Sequence, residues 1–369
     1  MSRTISNKHL LKSSAALISI SIVMFLGVYF YASNYMLFTN FRSYYIKAYA
    51  SAMSYSIHNL GKDSVKAQPS NTTNSVPVLL YHGIMEKQED ENISLEQFVS
   101  QMQALKNDGY NAISYQQYYD FITTNKPLPN KPVLITFDDG RKDSYYPVDP
   151  ILKSLGYKAT IFVITSQYDN EESPFYLNES EIGKMINSGR WDIQVHTKNG
   201  HGFKSINQDG TKTGAYYANK LWLDNLNRIE SETEYQARVS QDLASAKNDL
   251  YKDFGIKATG FAFPFGDNGQ EETNYPGAHN ALMQEVSNNY KIAFEQWRPS
   301  RGFSQNYNSS EDFNLTRRIN VAPHFSPAEL LALLNNGGSK QLPYKSNFQN
   351  NDGWQKTWGT YDIENNNLT

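Results

Sequence analysis

The sequence predicts an α/β domain with parallel strands, and three observations carry that prediction. Strand-like runs alternate with helix-like stretches through most of the chain. The run Val133-Leu134-Ile135-Thr136-Phe137 is made of apolar and β-branched residues, the composition of a strand covered on both faces. Asp138 and Asp139 close that strand, and His82 closes another; in a parallel sheet such carboxyl ends lie on one side, where residues far apart in sequence can meet.

Taken in order, the chain opens with Arg3, Lys8 and Lys12 before a charge-free apolar stretch from Ala15 to Ala32. That stretch is marginally long enough to cross a bilayer, and aromatic residues suited to an interface continue toward Asn40. The basic flank predicts a cytoplasmic N-terminus with the remainder outside. Ala48-Tyr49-Ala50 has the small-residue pattern of a signal-peptide cleavage site but lies far beyond the apolar core, so an uncleaved single-pass anchor is expected over 1–40. Residues 44–60 predict a helix and 61–75 a polar linker, together the segment 41–75.

The main domain is expected over 76–335. It begins with the strand Val76 to Gly83, and a helix follows whose start at Ser94 carries Gln97 for a capping box and whose end is marked by Gly109. Further strands are expected at 132–137, 158–164, 191–197, 260–265 and 291–294, and helices at 147–155, 178–188, 231–252 and 326–336. Within 231–252, Tyr235, Val239, Leu243 and Leu250 fall near helical spacing and predict a core-facing stripe. Residues 202–232 are polar and read as an inserted loop bordering a cleft. The stretch 336–369 reads as a polar tail.

Composition narrows the chemistry. A net charge of -3 with no like-charge block gives no footprint for nucleic acid. With no cysteine, disulfides, thiolate metal sites and a cysteine nucleophile are excluded, so any metal must be held by His, Asp or Glu. Asp-Asp-Gly is a common strand-closing turn, yet adjacent carboxylates at a buried strand end are costly unless a metal, proton or hydrogen bond compensates them. Downstream, the strand Trp191 to Thr197 delivers His196, and a short loop returns with His201. Either imidazole alone is an ordinary structural residue; two with a carboxylate make a site for a borderline divalent cation.

These residues resemble the polysaccharide deacetylases of carbohydrate esterase family 4, the NodB-homology domain. Thr136-Phe137-Asp138-Asp139-Gly140 is similar to that family's first motif, and His196-Thr197-Lys198-Asn199-Gly200-His201 to its His-Ser/Thr-loop-His second motif. The spacing of the histidines and Leu80-Tyr81-His82-Gly83 resemble the branch acting on poly-β-1,6-N-acetylglucosamine in biofilm matrices. The resemblance implies a distorted (β/α)₇ barrel, which the transmembrane helix expected from the apolar stretch precedes. It implies one divalent ion, zinc foremost with nickel, cobalt or manganese as alternatives, on Asp139, His196 and His201, and Asp138 as general base. Phe261-Ala262-Phe263-Pro264-Phe265-Gly266 resembles the third motif, which implies that Pro264 shapes the site and that the Phe265 N–H assists the oxyanion. Many members carry an arginine three residues before this proline to orient the catalytic aspartate; here Phe261 stands there, and the poly-N-acetylglucosamine branch also tends to lack the arginine. His324, after the Arg-Ile-like run Thr316 to Val321, is the candidate proton donor. His82 is a second polar participant, and Trp222 and Trp297 are candidate sugar-stacking residues.

The expected function is thus metal-dependent hydrolysis of N-acetyl groups from an extracellular N-acetylhexosamine polysaccharide. Peptidoglycan or a galactosamine-containing polymer is the alternative substrate, and a catalytically silent glycan-binding module the alternative class. An α/β domain whose aspartates and histidines are merely structural is a third reading. Expected partners are the polysaccharide and the membrane.

Overall fold

The computed structural model describes residues 40–58, 69–70, 75–85, 91–297, 305–308, 311–321, 323 and 325–336, with a few isolated positions near either end. Seven parallel strands pair in chain order: β1 (Ser75–Tyr81), β2 (Pro132–Phe137), β3 (Ala159–Ile164), β4 (Trp191–Thr197), β5 (Gly260–Ala262), β6 (Ile292–Trp297) and β7 (Asn314–Asn320). β7 returns to β1 through Ile319↔Leu79 and Asn320↔Leu80, so the sheet closes into the expected barrel. Around it lie α1 (Asn40–His58), α2 (Leu95–Asn107), α3 (Tyr115–Thr124), α4 (Asp149–Leu155), α5 (Glu179–Asn187), α6 (Glu232–Phe254), α7 (Ala278–Asn289) and α8 (Pro327–Asn336).

Side chains alternate across a strand, and here the alternation sorts two cores. Tyr81, Ile135, Phe137, Ile161, Val195 and Phe261 pack outward under the helices. Val78, Leu134, Phe162, Ala262, Ile292 and Phe294 form the inner core with Tyr115, Tyr118 and Phe121 of α3. The rings of Phe162 on β3 and Phe294 on β6 are 4.8 Å apart although those strands are not neighbours, a contact made only across the barrel interior. α3 closes one end of that interior, where the Tyr118 hydroxyl meets Thr316 Oγ1 at 2.7 Å. Its start is fixed by a reciprocal capping box between Ser114 and Gln117.

The barrel is distorted at one seam. β5 and β4 share the single register pair Phe261↔Val195. Gln194 Oε1 accepts from the Thr259 and Gly260 N–H groups at 3.1 and 2.9 Å, and His196 Nδ1 meets the Ala262 carbonyl at 2.8 Å. Side chains thus satisfy backbone groups that a longer ladder would have paired. The strand expected to reach residue 265 stops at Ala262, because Pro264 lacks an N–H and Phe265 has a φ of 60°.

The helix expected at 44–60 is α1, shifted toward the N-terminus, and it packs on the domain with Ser43, Ile46 and Ala50 buried. The expected inserted loop contains two small hairpins, Phe203–Ser205 with Thr213–Ala215 and Trp222–Leu223 with Arg228–Ile229. Among the described residues no helix is long and apolar enough to cross a membrane. The anchor expected from Ala15 to Ala32 falls, apart from Ser19, Ser21, Ile22 and Met24, outside the described residues.

Candidate active site

Strand parity brings the first carboxylate inside. Asp138 continues the inner-facing series Leu134 and Thr136 and is 1% exposed. Arg318, on the inner side of β7 and fully buried, clamps it: Nη1 donates to Oδ1 at 2.6 Å and Nη2 to Oδ2 at 2.7 Å. The guanidinium stacks 5.3 Å from the Phe162 ring centre and donates from Nε to the Glu295 carbonyl at 3.3 Å. Burial by itself would raise the Asp138 carboxyl, but the charge of Arg318 and its hydrogen bonds hold it below its ordinary value. The orienting cation that residue 261 lacks therefore comes from another strand.

By parity alone Asp139 would point to the outer face. Instead Asp139 and Gly140 take φ of 70° and 72°, two successive left-handed residues that turn the chain. The bend thus begins at the aspartate itself, a residue type that tolerates this region better than most, and glycine completes it. Asp139 Oδ1 then lies 3.3 Å from His196 Nε2 and 3.2 Å from His201 Nε2. These three offer converging ligand atoms, as expected. Burial favours the neutral Asp139 carboxyl, but the two imidazoles outweigh it and hold the group well below its ordinary value. Burial likewise disfavours charged His201, yet contact with Asp139 raises its pKa.

The donor set fits a divalent cation on structural grounds. With Nδ1–H donated to the Ala262 carbonyl, His196 presents its Nε2 lone pair beside Asp139, the tautomer a metal ligand needs. His201 is placed by a loop that Asp242 of α6 organises. Its Oδ1 accepts from the Thr197 hydroxyl at 2.8 Å, the Lys198 N–H at 3.1 Å and the Tyr217 hydroxyl, and its Oδ2 accepts from the Asn199 N–H at 2.8 Å. Asp242 is 5% exposed, so substitution would leave those donors buried and unpaired. Asp242→Ala is expected to weaken zinc binding by about 10- to 100-fold, the usual scale for a group that orients a ligand. Isothermal titration with zinc would measure it; unchanged affinity would show that the loop holds His201 without the clamp.

The other expected residues divide. Pro264 is buried, while Phe265 is 37% exposed with its ring 4.7 Å from that of His201. His82 is 9% exposed, and its buried Nδ1 has no hydrogen-bond partner among the described residues. Trp222 is half-buried on the second hairpin. Trp297 ends β6, and its side chain lies outside the described residues, as does His324. Arg318 and Asp242 were not among the expected site residues. The signal for Arg318 was its parity with Thr316 on β7; for Asp242 it was an acidic residue beside the apolar stripe of α6, which sequence alone does not separate from a solvated one.

Residues 125–281 match the family model described as polysaccharide deacetylase. YxkH of Bacillus subtilis (strain 168), named for polysaccharide deacetylation, is 33% identical over 122 residues, 33% of this chain and 42% of its own. The poly-β-1,6-N-acetyl-D-glucosamine N-deacetylase of Escherichia coli (strain K12) is 22% identical over 221 residues, 56% of this chain and 33% of its own. The chain therefore spans less than half the length of either. The solved de-N-acetylase of Aggregatibacter actinomycetemcomitans superposes with a TM-score of 0.59 at 24% identity, over 70% of this chain and 100% of that one, a likeness of fold. Arg318 lies beyond the segment matched by the family model.

Proposed function

We propose that this chain, which carries a polysaccharide deacetylase domain over residues 125–281, hydrolyses N-acetyl groups from an extracellular N-acetylhexosamine polymer, poly-β-1,6-N-acetylglucosamine foremost. One observation carries the reading: a buried, arginine-clamped carboxylate stands next in sequence to a carboxylate that converges with two imidazoles. Asp139, His196 and His201 would hold a divalent ion, zinc or one of nickel, cobalt and manganese, which when bound polarises the acetamide carbonyl and acidifies water. Asp138 supplies what such an ion does not, a base. Arg318 keeps it ionised near neutral pH and occupies one lone pair on each oxygen, leaving the others to accept a proton from the attacking water.

The Phe265 N–H, in the turn that presents that ring beside His201, is the donor assigned to the developing oxyanion. Departure of the amine requires a proton. His324 is the candidate donor, and His82, 9% exposed at the end of β1, is a second polar participant. A silent glycan-binding module would need no base beside a metal site, which favours the enzyme reading. The name of the Escherichia coli relative and the spacing of the histidines support the poly-N-acetylglucosamine assignment over peptidoglycan or a galactosamine polymer. The apolar stretch and its basic flank support a membrane-anchored protein with this domain outside the cytoplasm, acting on biofilm matrix.

The test is acetate release by the purified protein from β-1,6-linked N-acetylglucosamine oligomers, peptidoglycan and an N-acetylgalactosamine polymer. The first is expected to be the best substrate. Asp138→Asn is expected to lower its turnover by about 10²- to 10⁴-fold, with zinc still bound. Equal release by that variant would remove Asp138 as the base, and absence of bound metal would favour a merely structural site.

A further inference from the structure

A row of three rings leads out of the site. His201, a proposed metal ligand, lies 4.7 Å from Phe265, and Phe265 lies 5.0 Å from Phe203 with an interplanar angle of 33°. Exposure follows the same direction: Phe203 is 60% exposed and Phe265 37%, whereas His196 on the inner side of the metal site is 1% exposed. Both phenylalanines offer apolar surface to water at the mouth of a polar site, where such patches mark ligand-binding grooves.

Backbone geometry sets the position of both rings. Phe265 has φ of 60°, and a bulky residue in that region is held only where its surroundings over-determine it, a feature that clusters at ligand sites. Phe203 lies on the hairpin Phe203–Ser205, Thr213–Ala215, whose seat does not depend on its ring. Tyr216 N–H donates to the Gly202 carbonyl at 3.1 Å, Arg238 Nη1 to the Tyr216 carbonyl at 2.7 Å, and Asn219 Nδ2 to the Ala215 carbonyl at 3.2 Å.

We propose that Phe203 and Phe265 form a stacking platform for the hexopyranose unit adjoining the one whose acetamide is cleaved. This rests on the deacetylase reading above and adds how the polymer is held. A β-linked hexosamine ring has an apolar C–H face and a rim of polar groups, so it covers an aromatic surface while its hydroxyls stay hydrated. An aromatic platform matches that division, and the row's continuity with His201 directs a polymer, rather than a single sugar, across the site. Phe203 thereby makes affinity depend on chain length.

The test compares binding of a β-1,6-linked N-acetylglucosamine tetramer and the free monosaccharide by calorimetry, in the zinc-loaded parent protein, Phe203→Ala and Phe203→Tyr. Phe203→Ala is expected to bind the tetramer about tenfold more weakly and so shrink the tetramer-to-monomer ratio, while Phe203→Tyr, which keeps the ring, binds as the parent does. Equal tetramer affinity for Phe203→Ala and the parent overturns the platform, as does a parent that binds tetramer no better than monomer. Acetate release by the parent is scored in parallel. Its absence with the tetramer preference intact would remove the hydrolase reading and leave the platform, whereas release with no effect of Phe203→Ala would do the reverse.

Discussion

Arg318→Met is expected to lower the unfolding free energy by about 3–5 kcal/mol, because it strands Asp138 as an unpaired charge in the barrel interior. Urea unfolding would measure it. A buried ion pair is rarely retained for net stability, since two well-packed apolar residues of similar volume do as well or better. The double substitution Asp138→Leu with Arg318→Met should therefore recover most of the loss while abolishing acetate release. Acid sharpens the expectation. Asp138 has its folded pKa lowered, so its contribution to stability is present above the ordinary carboxylate range and is lost as pH falls through that lowered value. Arg318→Met should remove that acid-side dependence. Arg318→Lys keeps the charge without the paired fork and is expected to preserve the fold better than activity. Arg318→Met with unchanged stability and turnover would show that the clamp does neither job.

Asp139→Ala is expected to weaken zinc binding by at least 100-fold, a lower bound taken from what removal of a mere orienting partner costs. The same site predicts a proton competition. In the metal-free protein His201 has its pKa raised, with Asp139 overcoming the opposing effect of burial. A metal must displace that proton, so zinc affinity should fall about tenfold per pH unit on the acid side of the His201 titration and level off above it. Calorimetry in buffers of differing ionisation heat would count the proton released. Affinity that stays flat from about pH 5 to 8 would exclude His201 as a ligand, since an imidazole titrates in that range. Linkage gives the opposite trend for the metal-free fold. A raised histidine pKa stabilises it below the ordinary histidine value, and that contribution is lost as pH rises through the folded value.

Much of this organisation is legible in the sequence. Continuous apolar runs mark the strands because both of their faces are covered, and β2 and β4 match their expected limits to the residue. Helix α3 is less legible. Its Tyr115, Tyr118, Phe121 and Ile122 make a helical stripe, but β-favouring aromatics dilute the helical signal, and only the Ser114 and Gln117 capping box announces it. Phe203 is similarly hidden, since an exposed ring and a buried one look alike in a polar loop until the hairpin is folded.

Short stretches of chain settle the chemistry available at the strand ends: Asp138, Asp139, His196 and His201, with no thiol to compete for a metal. Local chain physics sufficed, because a buried strand ending in paired carboxylates and a returning imidazole pair are features of short segments. Tertiary structure alone decided that Arg318, rather than any residue near position 261, meets Asp138. Closure of β7 onto β1, beside β2, gives the inner-facing side chains of both strands one shared interior. Strand parity sends each inward, but only barrel closure sets two residues so distant in sequence at the distance of a bidentate hydrogen bond.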